Sequence, residues 1–159
     1  MEHGEREQFQ ESLMAVIRGL GLHRSDATPC GFPVSLAEAC AMVALQRAEP
    51  LSQRDLAEQL NLDKSTVSRL VADLDGRGWL VREKAAYDAR VTLLRRSAEG
   101  VSKSHAIYAA RTARFGGLLD AIAPEQRASV VEALRILAEV VHDESVAAID
   151  EVVGQSLGR

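Results

Sequence analysis

Apolar positions between residues 5 and 21 recur at intervals of three and four. Phe9, Leu13, Val16, Ile17 and Leu20 fall on one face of a helix, with polar residues on the other. The next segment, SDATPCGFP, is rich in turn formers and ends at Ser35, a natural N-cap. A second helix is therefore expected over about 36–48, carrying Leu36, Ala39, Cys40, Val43 and Leu45 and stopped by Pro50. Beyond Ser97 the three-and-four pattern returns in Tyr108, Thr112, Phe115, Leu119 and Ile122, predicting a long helix to about 122. Gly116-Gly117 should interrupt that helix, either weakening it or letting another backbone come close. Pro124 suits the first turn of a last helix, whose stripe of Val130, Val131, Leu134, Leu137, Val140 and Val141 is too wide for one partner.

The middle of the chain has a tighter pattern. In SQRDLAEQLNLDKSTVSRLVADLDGRG, residues 52–78, Ser52 can cap a short helix on which Leu56 and Leu60 share a face and Ala57 permits a close crossing. Asn61 tolerates the left-handed conformation of a helix end. Asp63 can cap a second helix with a buried stripe of Val67, Leu70, Val71 and Leu74. The opposite face reads Lys64, Ser65, Ser68 and Arg69, side chains able to reach base edges and phosphates from a major groove. This is a helix-turn-helix. After the Gly78 break, residues 79–84 and 91–96 form two short runs around the polar tip Ala85-Ala86-Tyr87-Asp88-Ala89-Arg90, a predicted β-hairpin. A helix-turn-helix followed by a hairpin is a winged helix.

On these residues the chain resembles the MarR (multiple antibiotic resistance regulator) family over roughly residues 8–142. The markers are the helix pair, Gly78, the Asp88-Ala89-Arg90 triplet matching the family's D-x-R at the wing, and Ser97-Ala98-Glu99-Gly100 where the family carries T-x-x-G. Arg96 departs from the pattern by standing where the family usually has Leu, so the end of the second wing strand is expected to be more exposed or turned differently. The resemblance implies a mainly α fold with a small β-hairpin, a single domain over 1–159. Its DNA-binding lobe would occupy about 35–97, with dimerisation helices at about 5–22 and 120–153. It also implies that Arg90 enters a minor groove while Asp88 orients basic side chains.

Charge first argues against nucleic acid, because the 159-residue chain is −4 overall. Its distribution reverses the argument. Residues 63–96 hold eight basic and five acidic side chains, a local balance of +3, whereas residues 120–159 hold eight acids and three bases, a balance of −5. A basic patch on an acidic body suits one face meeting phosphates while the rest stays soluble. The candidate DNA contacts are thus Ser52, Gln53, Lys64, Ser65, Thr66, Ser68, Arg69, Arg82, Lys84, Asp88 and Arg90. Each has a plainer rival: the recognition face as a solvated surface, Arg90 as the partner of Asp88 in a surface ion pair, Arg82 and Lys84 as exposed strand residues.

No apolar run approaches the ~20 residues of a membrane span, and the acidic start MEHGEREQFQ is unlike a signal peptide, so a cytoplasmic protein with no membrane partner is expected. Cys30 and Cys40 form neither a disulfide framework nor a metal clip. Cys40 lies on an apolar stripe, as an inert thiol would, and Cys30, in the Pro/Gly linker, is the more reactive candidate if the chain senses oxidants. Glu38, His23 and His105 show no metal-ligand spacing with the cysteines, and His142-Asp143-Glu144 reads as a polar helix end. No G-x-S-x-G, P-loop, Rossmann fingerprint or HExxH is present, so neither an enzyme nor a cofactor is expected. The reading that results is a homodimeric regulator binding a palindromic double-stranded DNA operator, a repressor released by a small-molecule effector. The resemblance puts the effector among residues such as Leu22, His23, Phe32, Met42, Gln46 and Tyr108, all of which could equally be core. The alternatives are an oxidant sensor acting through Cys30 or Cys40, and a winged helix that binds only protein.

Overall fold

Each helix of the central lobe begins at a side chain that satisfies its free backbone N–H groups. In the computed structural model, which describes residues 2–24 and 27–157 and the side chains of 4–24 and 27–142, the first elements are helix α1 (Glu2–Gly19) and helix α2 (Leu36–Ala48). Ser35 caps α2 through a reciprocal capping box with Glu38. Strand β1 (Leu51–Ser52) leads into α3 (Gln53–Leu60), which Ser52 and Asp55 cap in the same way. Asn61 ends α3 at φ 51°, and Asp63 caps α4 (Lys64–Gly76). The wing follows as β2 (Leu80–Lys84) and β3 (Thr92–Arg96), then α5 (Ala98–Asp120) and α6 (Pro124–Leu157).

β1 was not foreseen from the sequence. Two residues give no periodicity, yet Leu51 pairs with Leu94 and Ser52 with Leu93, making a three-stranded antiparallel sheet in the order β1-β3-β2. In the hairpin Leu80 faces Arg96 and Lys84 faces Thr92. The expected interruption at Gly116-Gly117 is also corrected: α5 runs through both glycines to Asp120, and a Cβ at either would meet open space. A glycine pair lowers helix propensity without forcing a break.

The chain divides into two compact units, Met1–Phe115 and Gly116–Arg159. The core of the first joins Met42 and Leu45 from α2, Leu56 from α3, Val67, Val71 and Leu74 from α4, Leu94 from β3 and Ile107 from α5, all nearly or fully buried. Phe9 and Val16 on α1 remain at least half exposed. In the second unit Arg127 closes the α5–α6 turn, donating to the carbonyls of Ile122 and Asp120 at 3.0 Å. Val131, Leu134, Ile136, Val140 and Val141 leave an apolar stripe on α6 exposed. Side chains 143–153 of the expected dimerisation helix, with Asp143 and Glu144, lie outside the described residues. Among the described residues no helix is long and apolar enough to cross a membrane.

Candidate nucleic-acid interface

The recognition face is built from the turn outward. Asp63 accepts the Thr66 N–H at 2.9 Å and the hydroxyls of both Ser65 and Thr66. These bonds stabilise its charged form and hold its carboxyl well below the usual carboxylate range. The two hydroxyls therefore serve the helix start. Lys64, Ser68 and Arg69 project from the exposed face of α4, while Val67, Leu70, Val71 and Leu74 point into the core. Arg69 borders an open cleft of about 540 Å³ between α4 and the start of α2, shared with Glu38, Asp73 and Arg77.

Most arginines of the lobe are already engaged. Arg77 pairs with Glu38 at 3.0 Å and stacks over the Trp79 ring at 5.4 Å, and Arg95 pairs with Glu83 at 3.0 Å. Arg82 pairs with Asp75 at 2.8 Å, which ties β2 to the end of α4 and does not leave this guanidinium free for a phosphate. Lys84 donates to the Thr92 hydroxyl at 3.3 Å across the hairpin. Among the described residues, no ion pair engages Lys64, Arg69 or Arg90. These three exposed cations, two on α4 and one at the wing tip, are thus in no ion pair among the described residues, and neither is Arg47 on α2.

At the wing the triplet works through its backbone. The Asp88 carboxylate accepts the Arg90 N–H at 2.8 Å, and its carbonyl accepts the Val91 N–H at 3.0 Å, folding the tip into a tight turn. The Arg90 guanidinium makes no ion pair with Asp88 among the described residues, so that rival reading is not what the structure shows. Arg90 and Tyr87 line one side of a notch of about 360 Å³, opposite Ser52, Gln53 and Asp55 at the start of α3. Tyr87 is 77% exposed and was not foreseen as a site residue, because one aromatic in a turn carries no pattern of its own.

Of the two expectations for the strand end at Arg96, more exposed or turned differently, the structure does not show the first. The Arg96 side chain is only 9% exposed and turns inward, with two guanidinium nitrogens on the Glu49 carboxylate at 2.9 and 3.1 Å and a third donating to Ser104 at 2.8 Å. These bonds hold the Glu49 carboxyl below its ordinary range against an opposing push from burial. The S-A-E-G stretch is equally specific in its contacts. The Ser97 hydroxyl donates to the Gly78 carbonyl at 2.6 Å and accepts the Gly100 N–H, and Gly100 packs directly against the Trp79 backbone.

The six candidate effector residues are dispersed. Met42 is fully buried in the core, Phe32 packs against its edge, and Leu22, His23 and Tyr108 are exposed. Gln46 has a buried amide oxygen with no hydrogen-bond partner among the described residues. None of the six lines the small apolar cavity of about 40 Å³ between the 28–30 linker, α2 and α5, where Cys30, Cys40, Ile107, Arg111 and Phe115 meet. Cys30 contacts the Thr28 hydroxyl at 3.0 Å. Burial pushes the Cys40 thiol up, with the charge of Arg111 opposing it.

A helix-turn-helix with a three-stranded wing and an exposed, uncompensated set of cations defines the winged helix-turn-helix class. Residues 32–91 match the model of the MarR family. It is 25% identical over 93 residues to the uncharacterized HTH-type transcriptional regulator YdgJ of Bacillus subtilis, a match covering 58% of this chain and 57% of that relative's length. Similar solved structures include Streptococcus pneumoniae FabT in complex with DNA (TM-score 0.68, 19% identity, 89% of this chain and 98% of that one). Another is the PcaV transcriptional regulator of Streptomyces coelicolor (TM-score 0.64, 20% identity, 90% and 98%), also known in complex with its natural ligand. At these identities the structural likeness is one of fold.

Proposed function

We propose that this chain is a homodimeric, sequence-specific double-stranded DNA-binding protein, a repressor that a small molecule releases from a palindromic operator. The observation that carries the DNA reading is the sorting of charge: Lys64, Arg69 and Arg90 are unpaired among the described residues, while Arg77, Arg82, Arg95 and Arg96 are held by carboxylates. A protein-docking face would be expected to present apolar anchors here. Lys64, Ser68 and Arg69 suit a major groove, Arg90 a minor groove, and Lys84 with the Ser52–Gln53 helix start suits the intervening phosphates. Arg82 moves to a supporting role, and Ser65 and Thr66 act by holding Asp63.

The exposed stripes on α1 and α6 support a two-fold assembly, since apolar surface of this extent marks an interaction site. Two recognition helices would then be held about 34–36 Å apart, matching successive major grooves. The effector part draws support from PcaV with its ligand and from Bordetella bronchiseptica BpsR, whose DNA binding is described as regulated by 6-hydroxynicotinic acid. An effector of this chain must bind its DNA-competent and released states unequally. Oxidant sensing through Cys40 is the weaker reading, because its raised pKa disfavours the reactive thiolate.

A mobility-shift assay on genomic fragments tests the proposal. Retardation of a few fragments in the presence of excess competitor DNA is expected. Equal retardation of all fragments, or of none, would refute sequence-specific binding.

A further inference from the structure

We infer that Arg96 is a positioning residue that fixes the angle at which α5 leaves the DNA-binding lobe, and so the half-site spacing this protein accepts. The inference rests on the proposed reading as a dimeric DNA binder and adds to it the residue that sets the geometry.

The start of α5 is anchored twice. The first anchor is its initial turn, where the Ser97 N–H donates to the Trp79 carbonyl at 3.0 Å, the Ser97 hydroxyl reaches Gly78, and Gly100 lies against the Trp79 backbone. A helix held at one turn can still swing about it. The second anchor is Ser104, four residues and about 6 Å further along the axis. Ser104 is fully buried, donates its hydroxyl proton to the Val101 carbonyl and accepts from the Arg96 guanidinium. The same guanidinium grips Glu49, the residue that ends α2, and the Arg96 backbone N–H donates to that carboxylate at 2.9 Å. One planar group therefore locks the end of α2, the end of β3 and the second turn of α5 to one another.

The choice of a charged group matters. Ile107 also holds α5 to the core, but apolar contact is non-directional and permits sliding. A bidentate guanidinium–carboxylate pair fixes both distance and plane. A buried pair is weak support for stability, since apolar residues of similar volume often replace one without loss. Orientation is what it supplies here.

The test uses the full-length protein and a palindromic duplex enriched from random-sequence DNA by the wild type, then rebuilt with its half-sites one base pair closer and one farther apart. One base pair moves a half-site by about 3.4 Å and about 34°, so the wild type should lose about tenfold or more in affinity on either altered duplex. Glu49→Leu combined with Arg96→Leu should bind all three duplexes within about threefold of one another, with helix content and melting temperature close to wild type, whereas Arg96→Leu alone should lose the same spacing preference but melt lower, because it leaves the Glu49 carboxylate without its partner. Arg96→Lys, which keeps the charge and loses the bidentate grip, should fall between. Variants that keep the wild-type ranking, or that weaken on all three duplexes alike, would overturn the inference and leave the DNA-binding reading intact. A wild type indifferent to spacing would overturn the dimeric reading, and this inference with it.

Discussion

Gly100 has no room for a side chain: a Cβ there would sit 2.0 Å from the Trp79 carbonyl oxygen and 2.9 Å from its carbonyl carbon. Because both are backbone atoms they cannot rotate aside, and the overpacking should outweigh the up to ~1 kcal/mol that Ala gains over Gly in a helix. Gly100→Ala is expected to lower stability by about 3 kcal/mol, read as a drop in the urea midpoint; an unchanged midpoint would contradict the close approach. Glu49 gives a pH-dependent case. Its folded-state pKa is depressed, chiefly by the hydrogen bond from Arg96, so its contribution is present above the unfolded value of about 4.3 and is lost as pH falls through the folded one. Urea unfolding should show Glu49→Gln less stable than wild type at about pH 7, with the gap narrowing below about pH 4. A gap that stays constant would mean that the Glu49 charge contributes nothing. For Arg90, whose guanidinium is unpaired among the described residues, Arg90→Ala should cost most on operators with A·T-rich flanks, where the minor groove is narrow and its potential strongest. Equal losses on A·T-rich and G·C-rich flanks would make it a generic phosphate contact.

Among the elements, the helices were the most legible. The starts of α2, α3 and α4 and the end of α3 coincide with residues whose chemistry defines an end: Ser35, Ser52 and Asp63 as caps, Asn61 in the left-handed region. The hairpin was legible from its alternation and tip. β1 was not, since two residues next to a cap have no period and take their strand conformation from pairing with Leu93 and Leu94. On the recognition face, residue types on α4 could be read from the sequence, but the occupation of their polar groups could not. Ser65 and Thr66 spend their hydroxyls on Asp63, and Arg82 is taken by Asp75, a residue seven positions earlier on another element. Arg96 escaped for the same reason: its partner Glu49 lies 47 positions away, beyond any local pattern.

At the scale of the whole molecule, the account needs two copies of the chain. Exposed apolar residues on α1 and on α6 should be covered by an isologous contact, so light scattering should return twice the chain mass at micromolar concentration; a stable monomer would remove the groove-spacing mechanism. The central claim is that Lys64, Arg69 and Arg90, unpaired among the described residues, form the DNA surface, and that the paired arginines of the lobe support it. Fluorescence anisotropy on a duplex enriched by the wild type, titrated across salt concentrations, measures this most directly. Arg69→Ala should lose about 1–3 kcal/mol and reduce base preference, and Lys64→Ala should lower the salt slope by about one phosphate contact. Arg95→Ala, which removes a cation already held by Glu83, should change neither by a comparable amount. If Arg95→Ala weakened binding as much as Arg69→Ala and Lys64→Ala, or if none of the three mattered, the assignment of this face to DNA would be contradicted.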